Sequence, residues 1–445
     1  MRTRHWAGLL AAGLLMSPVA HATDGYFSHG YGVRSAGMGG VGVAIAQEPF
    51  GGAINPATAG FLGNVWQVGL TWFSPDRSAE RSGSGMAGID GSVRSDSRNF
   101  GIPEFGVNWV VNPAVAVGLT VYGNGGMNTD YPGGQIAPQS ACAQFNPPRP
   151  GVDPDYNLLC GNGQLGVNLT QLMIAPYVAW KFHPDHAVGI APTIAYQRFK
   201  AYGLQAFDNP FLSTSPGSVT NNGYDDSWGF GVRVGYMGNF GPVSVGAAYA
   251  TKMSMDEFGD YRGLFAEAGD FDIPSNFTVG AAWRALPGLL LALEYQKIYY
   301  SDAKSVNNPS ALIGYCAQGD RSACMGGGNG AGFGWQDVDV WKFGVQYQID
   351  PRWTVRAGYN RSENPIRPED VTFNILAPGV MEDHYTAGVT YSMGRDGDIS
   401  AFYMYAPEVS VTGTSLFVGF GAPPTTTETI RMKEWSLGIA YSRPF

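Results

Sequence analysis

The sequence predicts an all-β fold, a transmembrane antiparallel β-barrel of about fourteen strands with a hatch folded inside it. Three observations predict the barrel. The chain begins with an export signal, so it works outside the cytoplasm. From about residue 65, apolar residues recur at every second position, the period of a strand with one apolar face. The connections alternate between short turns and long loops, as in barrels that cross an outer membrane. Composition agrees. Charged residues are only 14% of the chain, against about 25% in soluble domains. No stretch after residue 22 is long and apolar enough to span as a helix. Only helices and closed barrels satisfy every backbone polar group in lipid.

The elements follow in chain order. Arg2 and Arg4 precede the apolar run WAGLLAAGLLMSPVA, and small residues close it at Ala22, so residues 1–22 form a signal peptide cut before Thr23. The mature chain carries 25 basic and 36 acidic residues, a charge of −11, which argues against a nucleic-acid partner.

Residues 23–64 do not alternate and are rich in glycine. Gly37-Met38-Gly39-Gly40-Val41-Gly42 fits G-x-G-x-x-G, but a nucleotide site needs a strand before it, a helix after it and an acid about 20 residues on. None is present, and no cofactor is expected. A compact segment with few bulky side chains suits a different task, closing the lumen of a wide barrel.

Residues 65–445 then alternate. Trp341, Phe343, Val345, Tyr347 and Ile349 share one strand face, as do Trp353, Val355, Ala357 and Tyr359. Turns rich in Gly, Pro, Asn and Asp fall at 112–114, 183–186, 238–242, 286–288, 349–352 and 394–398. Longer connections lie near 75–98, 127–168, 204–224, 254–275, 302–336, 365–382 and 414–428. In an exported chain the four cysteines read as two local disulfides, Cys142–Cys160 and Cys316–Cys324. Zinc is the poorer alternative, lacking C-x-x-C spacing or a nearby His, and no metal is expected. The final strand, Trp435 to the terminal Phe445, resembles the signal read by the barrel assembly machinery, with Arg443 as a mild departure.

The order of signal peptide, SAGMGGVGVA, INPA (with Asn55, Pro56 and Ala57) and VGLTVYGNGGMNTDYPGG (117–134) resembles the FadL/TodX family of outer-membrane transporters for hydrophobic compounds, over nearly the whole mature chain. The resemblance implies a Gram-negative outer-membrane location, a luminal hatch and a kinked third strand that opens a lateral gap. The residues suited to that kink are Gly123, Gly125, Gly126 and Met127, since glycine permits a bend. The plainer reading is a strand end frayed by glycines. It also implies that the aromatic tip, Tyr26 and Phe27, touches ligand.

Leu204, Phe207, Phe211 and Leu212 in one loop, and Leu264, Phe265, Phe271 and Ile273 in another, either form a capture groove or pack together to close the mouth. At the family's basic, carboxylate-binding positions this chain has Gly203 and Gln336, with Arg198 and Lys200 nearby as substitutes. A carboxylate buried without a partner is costly, which favours a neutral hydrocarbon over a fatty acid. The expected partners are hydrophobic small molecules, outer-membrane lipid and lipopolysaccharide, and the assembly machinery, for a monomer. The alternatives are a general diffusion porin and an enzyme. The enzyme lacks a G-x-S-x-G elbow and has no catalytic candidate.

Overall fold

The computed structural model describes residues 24–148 and 153–445; the expected signal peptide lies outside them. Sixteen strands form one antiparallel sheet. Two short strands, Gly91–Arg94 and Ser254–Met255, attach to its rim, and the other fourteen form the ring. These are β1 (Val65–Ser82), β2 (Phe100–Asn112), β3 (Val115–Tyr131), β4 (Leu165–His183), β5 (His186–Tyr202), β6 (Asp225–Phe240) and β7 (Val243–Ala250). The second half comprises β8 (Asn276–Leu286), β9 (Leu289–Ile298), β10 (Val338–Gln348), β11 (Trp353–Ser362), β12 (Asp383–Ser392), β13 (Asp398–Thr414) and β14 (Thr427–Pro444). Each strand pairs with its sequence neighbour, and β14 returns to pair with β1 from Val65↔Pro444 to Ser82↔Thr427. Closure leaves the ring no free end, the condition for a sheet in lipid.

The alternation sorts the two faces. On β10, Trp341, Phe343 and Tyr347 are exposed on the outer surface, while Lys342 is buried and Gly344 lies against Met38 inside. The same outward apolar face recurs at Trp353, Val355, Tyr385, Leu437 and Ile439. Tyr and Trp pairs stand toward the strand ends, as Trp66 with Tyr441 and Tyr196 with Trp228 do. Inward Met173, Ala175 and Tyr177 are buried.

The first connection differs from expectation. Pro75 and Asp76 read as the start of a loop at 75, but β1 continues to Ser82. Pro75 falls where the ladder on one side is interrupted, after Phe73↔Phe100 and before Ser78↔Arg94, so its missing N–H breaks nothing. Both expected disulfides are formed, with Cα separations of 5.0 Å for Cys142–Cys160 and 4.6 Å for Cys316–Cys324.

Candidate functional site

The Gly-rich head segment lies against the inner face of the ring, and glycines on both sides of the contact have a steric cause: a Cβ on Gly39 would sit 2.8 Å from the Phe343 carbonyl oxygen, and one on Gly52 2.7 Å from that of Ala175. Its backbone approaches wall glycines so closely that a Cβ would collide. A Cβ on Gly358 would sit 2.1 Å from the Gly39 nitrogen, one on Gly246 2.0 Å from the Val43 carbonyl oxygen, and one on Gly106 2.3 Å from that of Pro49. These contacts fall on β11, β7 and β2, well apart round the ring. Within the G-x-G-x-x-G run, the Gly39 N–H donates to Thr386 Oγ1 at 2.8 Å. The N–H groups of Gly42 and Val43 donate to the buried Glu294 carboxylate at 2.9 and 2.8 Å. The run presents backbone donors to the wall, as glycines are able to do.

Asn55, Pro56 and Ala57 form the second anchor. Asn55 Oδ1 accepts from the Ala57 N–H, capping the short 3-10 helix Pro56–Phe61. Its Nδ2 donates to the carbonyls of Val43 at 2.7 Å and Tyr236 on β6 at 2.9 Å.

Strand β3 is an irregular part of the wall. It pairs with β4 along its full length, but the register slips between Gly123 and Gly125, leaving Asn124 as the extra residue of a bulge. Its pairing with β2 stops at Phe105↔Val121. Beyond that point Tyr122–Tyr131 have no strand on the β2 side, so the wall is unladdered there. Gly123, Gly125, Gly126 and Met127 all lie on this stretch, buried on both faces, as a strand bent into the interior would be. The glycines mark a bulge within a continuing strand rather than a frayed end.

The freed edge must find other partners. The Asn124 carbonyl accepts from Ser28 N–H at 3.1 Å, the Asn128 carbonyl from the Arg77 guanidinium, and the Asp130 carbonyl from Asp96 N–H at 2.8 Å. A cavity lies inside this region, between Phe73, Ile102 and Tyr122 of the wall and His29 to Gly32 of the head.

Above it the aromatic tip is packed. Tyr26 and Phe27 are buried, with Tyr26 against Tyr300 at 5.5 Å, Trp335 at 5.8 Å and Phe271 at 6.3 Å between ring centres. Tyr300 fixes the backbone, its hydroxyl accepting from Tyr26 N–H at 3.1 Å and donating to the Asp24 carbonyl.

The long connections bring Leu204, Phe207, Leu264 and Phe265 to one apolar cavity with Phe333 and Phe373, about 400 Å³ including its mouth. Leu212 is buried outside that lining, and Phe271 and Ile273 are buried deeper. Phe211 departs from the expected group: it is 78% exposed at the outer surface.

The structure corrects the placement of Arg198 and Lys200. On β5 the inward residues are Thr193, Ala195, Gln197 and Phe199, so Arg198 and Lys200 point outward. Both lie over the Tyr224 ring, Arg198 at 3.5 Å and Lys200 at 4.8 Å from its centre. Strand parity denies either a role inside the barrel. Gly203 and Gln336 bring no charge there, and Gln336 is exposed. Residues the sequence reading missed include Tyr300, Trp335 and Arg77. The signal for Arg77 was its step of two from Phe73 and Pro75, hidden once 75 was taken as loop.

Comparison with known proteins agrees with this architecture. The model of the family described as outer membrane protein transport protein (OMPP1/FadL/TodX) matches residues 153–441. No curated protein sequence matches. Among solved structures, the Pseudomonas putida toluene transporter TodX superposes with a TM-score of 0.65 and 16% identity, over 95% of this chain and 100% of that one. The Ralstonia pickettii toluene transporter TbuX gives 0.61 and 17%, over 94% and 99%. A Pseudomonas aeruginosa FadL homologue gives 0.63 and 14%, over 94% and 99%. At these identities the likeness shows the fold. The family model spans well over half the sequence, and the chain belongs to the OMPP1/FadL/TodX family of Gram-negative outer-membrane transport proteins.

Proposed function

We propose that this protein carries out passive uptake of hydrophobic compounds, monoaromatic hydrocarbons or long-chain fatty acids, across the outer membrane. Ligand is captured in the loop cavity at Leu204, Phe207, Leu264 and Phe265 and passes by the aromatic tip of Tyr26 and Phe27. It then enters the lumen beside His29 and Tyr122. Residues 23–64 act as a hatch that blocks straight passage to the periplasm. The exit is sideways, between β2 and β3, into the membrane.

The observation that carries this reading is the missing β2–β3 ladder along Tyr122–Tyr131, at the Asn124 bulge of β3. An apolar molecule gains by leaving into lipid rather than water, at about 25 cal/mol for each Å² it keeps dry. A plugged lumen with a side opening suits such a cargo and does not suit a sugar.

Vesicles containing the purified barrel test the reading. Laurate and toluene are expected to enter faster than into empty vesicles, while sugars are excluded in a swelling assay. Free passage of sugars, with no gain for either hydrophobe, would replace the transporter with a general porin.

A further inference from the structure

A pocket under the long connections holds one cation and no paired acid. Its walls are Tyr26, Met127, Trp335, Pro378 and Met432, and Arg77 of β1 lines it with them. Its empty space is about 240 Å³ including the open mouth. Arg77 is buried. Its two terminal nitrogens donate to neutral acceptors, the carbonyls of Asn128 on the freed edge of β3 and of Ser97. Its Nε has no partner.

Among the described residues no carboxylate is ion-paired with Arg77. Neighbouring Asp76 pairs with Arg94 and Lys433 instead. Glu434, the buried acid on β14 whose field reaches Arg77, lies 3.5 Å from His384 Nε2. The Phe100 ring, 5.8 Å away, supplies only a weak cation–π contact. A buried charge without a counter-ion is a heavy desolvation burden. Neutral donors would serve two carbonyls as well. What the guanidinium adds at this place is an unbalanced positive charge and a spare N–H.

We propose that Arg77 is a specificity-determining residue that pairs with an anionic end group, and that the favoured cargo is a carboxylate amphiphile whose apolar body lies against Met127, Trp335 and Met432. This rests on the transport reading and narrows it. It reverses the preference for neutral hydrocarbons that the absence of basic residues at Gly203 and Gln336 suggested. The counter-charge stands on the first strand, and Arg198 and Lys200 are not needed for it.

Trp335 in the pocket wall gives the test an optical signal. The purified full-length barrel would be titrated with laurate, 1-dodecanol and toluene while tryptophan fluorescence is followed. Laurate and 1-dodecanol share a chain length and differ in charge. Wild type is expected to bind laurate at least about tenfold tighter than the alcohol, the value of one hydrogen bond between charged partners. Arg77→Gln should bring laurate down to the alcohol's affinity and leave the alcohol unchanged, and Arg77→Lys should keep part of the preference. Equal loss for both ligands in Arg77→Gln would mean that Arg77 only holds β3, and would overturn the proposal. So would a wild-type preference for the alcohol. If Arg77→Gln fails to fold, judged by lost heat-modifiable migration, the wild-type ratio and Arg77→Lys decide. Wild type that binds none of the three probes would sink the transport reading as well.

Discussion

Replacing Tyr300 by phenylalanine should unseat the aromatic tip while leaving the barrel intact. The ring keeps its contacts with Tyr26 and Trp335, so only the hydroxyl is lost. That hydroxyl serves two backbone groups, the Tyr26 N–H and the Asp24 carbonyl, both in a buried segment. A buried polar group left without its partner costs about 1–3 kcal/mol, so the pair amounts to roughly 2–6 kcal/mol against the seated tip. At about 1.4 kcal/mol per tenfold, the unseated population rises by roughly 30-fold or more. Hydrogen exchange measured by mass spectrometry on peptides covering residues 24–31 reads this directly. Protection there should fall by that factor, while peptides from β8 to β12 keep theirs. Unchanged protection of 24–31 in Tyr300→Phe would refute the assignment of Tyr300 as the tether of the tip.

Other positions give independent checks. Gly125→Ala places a Cβ 1.6 Å from the Tyr26 carbonyl oxygen, so the tip must shift, and exchange at residues 26–28 should rise even with Tyr300 intact. Burial, then Asp272 and Glu267, push the Asp270 carboxyl up to about 7 against the lowering pull of Lys252. The folded loop therefore binds that proton more tightly than the unfolded one. Its contribution to loop order is full below about pH 4 and is lost as pH rises through about 7. Exchange of residues 264–273, corrected for intrinsic rate, should increase across neutrality, and Asp270→Asn should flatten the rise. Removing the Cys142–Cys160 bond, which spans 18 residues, should release about 3 kcal/mol of loop restraint. Cys142→Ser with Cys160→Ser should make the connection after β3 protease-sensitive and leave the strands uncut.

The fold was legible because a barrel wall repeats one simple rule. Alternation and the Gly/Pro/Asn turns at 112–114, 183–186, 238–242 and 286–288 mark strand ends that the structure places within a residue or two. Pro75 misled because a proline inside a strand depends on where the neighbouring ladder stops, which local sequence does not record. Arg198 and Lys200 misled through parity, since both faces of β5 carry apolar and polar residues and a shift of one position exchanges inside for outside. Tyr300, Trp335 and Arg77 come from separate parts of the chain and meet only in the folded mouth. The glycines of the head were visible in the sequence, but the wall glycines that Gly37 and Gly39 meet, Gly388 and Gly358, are brought to them only by closure of the ring.

The exit route between β2 and β3 is best tested by deleting Asn124, the extra residue of the bulge. Without it, Gly123 and Gly125 would continue one register with Leu172 and Gln171, β3 would straighten, and its edge would be free to pair along β2. The account predicts that the purified variant still binds laurate or toluene, while uptake into vesicles falls to the rate of vesicles without protein. Uptake at the wild-type rate through a folded Asn124-deleted barrel would contradict lateral exit.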